Sequence, residues 1–353
     1  MTSKISRIAQ LAGKVESNSG SAETLDATNA TILAYDPVMD AEFEQFKRNP
    51  VTKHMSRFGS EPGARKMSLT FKAELMGPVA NCRGTTLPIT PFLRACGLSE
   101  TFPNNNSNLY IPISNNFVTC TIAKYEDGFR KTMLGAAGNV KFQFKVGEPI
   151  FCEFAFQGKY SEHSDTALLS PTYPAQVPFI FMGATVTIAG NSLVLDACEL
   201  DLQNEIVISP RPQDPSGIDY AKITGRNPIM TFDPELVATT DHNFYSLIMS
   251  RSTMTVVIIM NDSIGNCINF SLPAVRYTGL KEGDRGGIRI MNATCEVCKN
   301  SDGGNDELTI TMGASSSSSM SSSSTSSSSS SNSSSSNSSS SSSFSSSSSS
   351  RSV

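Results

Sequence analysis

The sequence predicts an all-β fold, an antiparallel sandwich or barrel, on three observations. Residues 118–160 alternate with period two: Val140, Phe142, Phe144 and Val146 share one face, and Lys141, Gln143 and Lys145 the other. Gly147-Glu148-Pro149 breaks that run, and Ile150, Cys152, Phe154 and Phe156 then alternate with Glu153 and Gln157. Upstream, Val118, Cys120 and Ile122 alternate with Thr119 and Thr121 before a turn at Glu126-Asp127-Gly128. Alternation cut by Gly, Pro and Asp marks antiparallel strands with one dry face and one wet face. The stretch is therefore a β-meander.

The remaining elements follow in chain order. Residues 1–65 read as an N-terminal arm with little core of its own, and Asp40–Pro50 as a short helix with Phe43 and Phe46 on one face. Residues 66–186 form a first β-sandwich block. It opens with the alternating Met67, Leu69, Phe71, Ala73 and Leu75, and carries a short helix from Thr90, as N-cap, through Pro91 to Gly97. Residues 187–313 form a second block with the same order of parts. Its Ser192-LVLDACEL resembles Ser68-LTFKAEL in a few letters, and its helix is expected across 233–250 with Asp233 capping and Pro234 in the first turn. Strands are expected at Met254–Met260, Cys267–Leu272, Ile288–Cys295 and Leu308–Met312. Strand, helix and meander thus occur twice, which suggests an internal duplication. Residues 314–353 are almost entirely serine and are expected to be a disordered tail, because they offer too little apolar surface to offset chain entropy.

Composition narrows the function classes. With 38% hydrophobic and 17% charged residues the body is globular, and a net charge of −4 opposes gripping nucleic acid, which takes clustered Lys and Arg. The longest apolar run, Val256–Met260, is strand length, so no membrane span is expected. The N-terminus lacks the apolar core of a secretory signal, and cytoplasmic synthesis is expected. The eight cysteines are scattered, several in strand-like runs, as suits reduced, buried thiols rather than a disulfide framework.

No residue set carries a reaction, so no catalytic, cofactor or metal residues are assigned. Cys295 and Cys298 form a lone CxxC at a strand end, without the second ligand pair that zinc requires. His54, His163 and His242 are each isolated among polar neighbours and read as surface or loop histidines. Gly135 and Gly138 sit where a strand rather than a helix begins, so they serve a turn and not a phosphate cradle. The segment 282–288, EGDRGGI, is a charged turn between strands. A hydrolase would need a nucleophile–base pair, and none is found.

Several stretches, in order, resemble the tail tube proteins of long-tailed bacteriophages. They are the segment after Ala12 (GKVESNSGSAETLDATNAT), Leu69–Gly77, Pro91–Leu98, Tyr125–Tyr160, Asp233–Leu236 and Gly286–Ile290. Tyr125–Tyr160 is the closest of these. The resemblance implies a β-sandwich with a flanking helix whose inner strands join neighbouring copies into one barrel. It implies homo-trimeric or homo-hexameric rings that stack into a tube, tape-measure and terminator proteins as further partners, and DNA as transient cargo. The location implied is the virion tail, and no cofactor is implied. The arm 1–65 and the loop Asn104–Asn108 are the expected ring-to-ring contacts. A neck or terminator component, or a carbohydrate-binding β-sandwich on a serine stalk, are the alternatives.

Overall fold

The computed structural model describes residues 7–77, 86–103, 107–175, 177–261 and 266–314. The serine tract from Ser315 onward lies outside them, as do residues 104–106 of the Asn104–Asn108 loop. The first half of the body comprises β1 (Ala9–Val15), β2 (Ala34–Phe46), β3 (Glu61–Glu74), α1 (Thr90–Ala95), β4 (Leu98–Thr101), β5 (Ser107–Pro112), β6 (Cys120–Glu126), β7 (Phe129–Lys145) and β8 (Phe151–Asp165). The second comprises β9 (Thr185–Ile188), β10 (Asn191–Ser192), β11 (Ala197–Asp201), β12 (Asn204–Pro210), β13 (Ile218–Arg226), β14 (Ile229–Phe232), α2 (Phe244–Ser250), β15 (Met254–Asn261), β16 (Asn266–Arg285), β17 (Ile288–Val297) and β18 (Thr309–Ala314).

All pairings are antiparallel, and apart from the β12–β13 hairpin they form one continuous sheet folded onto itself. One layer runs β16–β17–β14–β11–β7–β8–β3–β2. The other is built on the first half of β16, which pairs with β15 on one side and β18 on the other, and continues to β9 and to β5 and β4. The layers meet through aromatic side chains. Phe270 of β16 packs edge-on against Phe142 and Phe144 of β7, with centroids 5.2 and 5.1 Å apart. A single buried cluster passes through both halves, and the residues up to Ser315 group as one compact unit. The fold is all-β, antiparallel and sandwich-like, with two short helices.

The meander forms as its alternation predicts. Val140, Phe142 and Phe144 are buried, as are Ile150, Cys152, Phe154 and Phe156 across the turn. Val146 is exposed, because it belongs to the turn and not to the strand. The strands expected at 254–260, 267–272, 288–295 and 308–312 are present, and β16 runs on to Arg285.

Several expectations are corrected. The arm 1–65 is part of the sheet: β1 pairs with β6 and β2 with β3, and Leu11 and Met39 are core residues. The helix expected from Asp40 is strand β2, since cross-strand bonding to β3 decides a segment whose helical face holds only two aromatics. At its start β2 carries a bulge at Asp36 (φ 47°) and Pro37, and its outer edge has no strand partner among the described residues. Helix α1 begins at Thr90 with Ile89 as N-cap, so Thr90 is free to bond elsewhere. In the second half the helix is confined to α2 and capped by Asn243, whose side chain accepts from Ser246 N at 2.9 Å. Asp233 instead accepts from the backbone N–H groups of Asp196 and Ala197, at 3.1 and 2.9 Å. Gly135 and Gly138 lie inside β7, not in a turn. Gly135 (φ +59°) occupies a bulge against Tyr220, and a Cβ on Gly138 would stand 2.3 Å from the Phe156 ring.

The strand order repeats. β1, β2, β3, α1, β6, β7 and β8 have the same sequence of antiparallel pairings as β9, β11, β14, α2, β15, β16 and β17. Two details fix the equivalence residue by residue. β7 has an extra residue between Met133 and Ala136 opposite Ile122 and Cys120, and β16 has one between Leu272 and Val275 opposite Val256 and Met254. Leu75 N donates to Ile150 O at 2.9 Å, and its counterpart Leu236 N donates to Arg289 O, also at 2.9 Å. The repeated sequence is therefore Leu69-TFKAE-Leu75 with Met230-TFDPE-Leu236, not with Ser192-LVLDACEL, which supplies the counterpart of β2.

The cores of the two repeats exchange volume across one strand pair. Gly138 faces Phe156 in the first, and Tyr277 faces Cys295 at the same place in the second. Each pair holds one ring and leaves room for one. Gly138→Ala adds a methyl where Phe156 already fills the space, and should cost about 1–3 kcal/mol. Urea unfolding followed by circular dichroism measures it; an unchanged midpoint would refute the volume exchange.

Candidate functional site

The groups most able to do chemistry are engaged in structure. Cys96, Cys120, Cys152, Cys198 and Cys295 are buried and unpaired, and burial pushes each thiol up, away from the nucleophilic thiolate. Cys298, past the end of β17, is also raised, by burial and by Glu296, which outweigh the opposing pull of Arg276, so this thiol of the CxxC is not activated. Among the described residues no group of three His, Cys, Asp or Glu side chains could hold a metal ion.

The three histidines separate. His54 is exposed and His163 half-buried, but His242 is buried, contrary to its reading as a surface residue. Its neighbours in sequence are polar, yet the turn before α2 lays its ring on Phe244 (4.4 Å) with Nε2 2.9 Å from the Tyr277 hydroxyl. Tyr277 stands at the glycine position of the first repeat, and His242 satisfies the hydroxyl that this larger side chain brings inside.

Buried and half-buried acids likewise act as clamps. Glu16 accepts from Thr119 Oγ1 (2.5 Å), Thr121 Oγ1 (2.9 Å), Gly20 N (2.6 Å) and Gly135 N (2.7 Å), fastening the end of β1 to β6 and the β7 bulge. Glu100 accepts from Thr90 Oγ1, Asn108 Nδ2 and Tyr110 OH, each at 3.0 Å, and ties α1 to β4 and β5. Arg226 pairs with Glu307 and donates to Ile113 O at 2.9 Å, binding the end of β13 to the segments just before β18 and just after β5. Each acid is engaged by donors distant from it in sequence, and so holds separate elements together.

What remains free is backbone and surface. In the layer β16–β17–β14–β11–β7–β8–β3–β2, among the described residues, the second half of β16 is bonded to β17 alone, and β2 to β3 alone. Both ends of the layer therefore present unused ladders, which are the strongest adhesive a sheet possesses. The solvent face between them is polar. It bears Ser68, Thr70, Gln157 and Thr294, and charges paired as Lys141–Glu199 (2.8 Å), Arg276–Glu296 (3.5 Å) and Lys72–Glu153 (4.0 Å). From its edge the β2–β3 hairpin projects with Phe46, Val51 and Met55 exposed. The sequence indicated the strands but not the edges, because a free edge is defined by the strand that is absent beside it.

Among the described residues no helix is long and apolar enough to cross a membrane. No protein-family model matches the chain, and no curated protein matches it.

Burial holds the pKa of His242 below the ordinary 6.5. The unfolded chain then takes up a proton first, so stability is full above about 6.5 and declines as pH falls toward the depressed folded value. His163 is shifted the same way, by burial and then by Lys131, so the two effects add. Urea midpoints at pH 7.5 and 5.5 should differ less for His242→Gln than for the natural chain. An equal difference would show that His242 is not the group titrating.

Proposed function

We propose that the chain is a structural subunit that joins copies of itself through its sheet edges into closed rings. The particular reading is a tail tube protein of a long-tailed bacteriophage, whose rings stack into the conduit through which DNA passes, alongside tape-measure and terminator proteins. The observation that carries this reading is the layer from β16 to β2, built from two repeats and ending on both sides in a long strand with an unused edge. Closing such a layer into a barrel removes the edges. A chain with two repeats supplies two ring positions, which suits a ring of three copies.

The solvent face of the layer supports the second half of the reading. Lys72, Lys141 and Arg276 on it are each paired with an acid, so they give phosphates little grip, and a polyanion would slide past them. The projecting β2–β3 hairpin, with its exposed Phe46 and Met55, is suited to reach a neighbouring ring, as expected for the arm.

Negative-stain electron microscopy with light scattering tests the proposal. Hollow tubes or rings with a regular axial repeat are the expected result. A chain that stays monomeric at high concentration and binds glycans would overturn it in favour of a carbohydrate-binding module. Truncation after Gly313 should leave ring formation unchanged, and loss of rings on truncation would assign the serine tract a part in assembly.

A further inference from the structure

The duplication contains its own record of how two copies meet. Within the chain the free side of β7 is taken by β11, from Lys145 opposite Ala197 to Lys141 opposite Asp201. The ladder continues at both ends, with Leu202 N donating to Val140 O at 3.2 Å and Val146 N to Asp196 O at 2.9 Å. This contact joins repeat one to repeat two. In the repeat β7 corresponds to β16 and β11 to β2, and among the described residues the second half of β16 and the outer side of β2 are without a strand partner.

We propose that the free edge of β16 in one copy receives β2 of a second copy in the register of the β7–β11 joint. The equivalences run through paired residues: Phe71 with Phe232, Thr70 with Thr231, and hence Met39 with Leu200 and Asp40 with Asp201. On the other strand Val140 corresponds to Leu280, Lys141 to Lys281 and Lys145 to Arg285. Transposed, Met39 lies opposite Glu282, Asp40 opposite Lys281, and Ala41 N donates to Leu280 O. The contact is head-to-tail, so it propagates until rotation closes it into a ring.

Three observations favour a second copy of this chain as the occupant. Asp40 and Lys281, opposite in charge, take the cross-strand places that Asp201 and Lys141 hold at the internal joint, and both side chains are exposed and without a hydrogen-bond or ionic partner among the described residues. Their position is a non-hydrogen-bonded one, where cross-strand side chains stand closest. The segments that follow, 42–66 and 203–227, are equal in length, and the second folds its β12–β13 hairpin over β7 and β8 of its own chain. The joints differ in one respect. Phe142 and Phe144 face the core at the internal joint, whereas their counterparts Glu282 and Asp284 are exposed, so the joint between copies relies on backbone bonds and charge.

The proposal deepens the ring reading but rests only on self-association, not on tubes or DNA. The test is the full chain with Asp40→Cys and Lys281→Cys together, mildly oxidised and run on a non-reducing gel. A ladder of disulfide-linked multimers is expected, and the two single variants mixed should stop at a dimer. Each single variant alone controls for the natural thiols, and circular dichroism checks its fold. No ladder above those controls overturns the register. If tubes are seen without cross-links, the tail tube reading survives and this interface does not. If cross-links form without tubes, the interface stands and the stacked tube does not. Independently, Asp40→Lys or Lys281→Asp should raise the protein concentration needed for assembly about tenfold, and the double reversal should restore it. Failure of the double reversal to restore assembly, with both singles folded, would overturn the pairing of these two residues.

Discussion

A strand has two hydrogen-bonding edges, and β7 uses its edges three times. β8 covers one side, while the other is divided between β6 along its first half and β11 along its second. β16 is used in the same manner, with β15 and β18 on its first half and β17 on its second. This division is what folds a continuous sheet into two facing layers without cutting its ladder. It also explains the bulges at Met133–Ala136 and Leu272–Val275, which turn each strand from one layer toward the other. Glu16 holds the first bulge by accepting from Gly135 N. The core follows, because Phe142, Phe144 and Phe270 meet where the two long strands cross.

Much of this was written in local pattern. Period-two alternation located β7 and β8 with their buried faces, and the later strands, because strands with one wet face repeat a simple code. The duplication was legible too, but the matching letters were not. LTFKAEL and MTFDPEL share a hydrogen-bonding role 161 residues apart, a separation that hides the match by eye. The strand that resembled the first in order of appearance, β11, is the counterpart of β2 instead. β2 itself was misread because its sequence, rich in Glu and Phe, carries no clear period until β3 lies beside it.

The surfaces were less legible than the strands. His242 looked exposed by its neighbours, yet it is buried because a tyrosine from a strand distant in sequence needs a partner. Nothing local to position 242 encodes Tyr277. The open ladders required the full list of pairings. Sequence pattern reports which face of a strand is dry, and is silent on which edge is free.

Pro37 gives the β2 edge a selectivity that its length alone would deny it. A long exposed strand of ordinary composition is a template for fibril growth, since each residue can bond to an identical strand above it. Proline has no N–H to give, and Asp36 beside it turns left-handed, so the ladder is interrupted near its start. Acidic Asp40, Glu42 and Glu44 repel a second β2 laid in parallel register. An unassembled chain thus carries a strand that refuses its own likeness, and amyloid stacking is disfavoured in the interval before assembly.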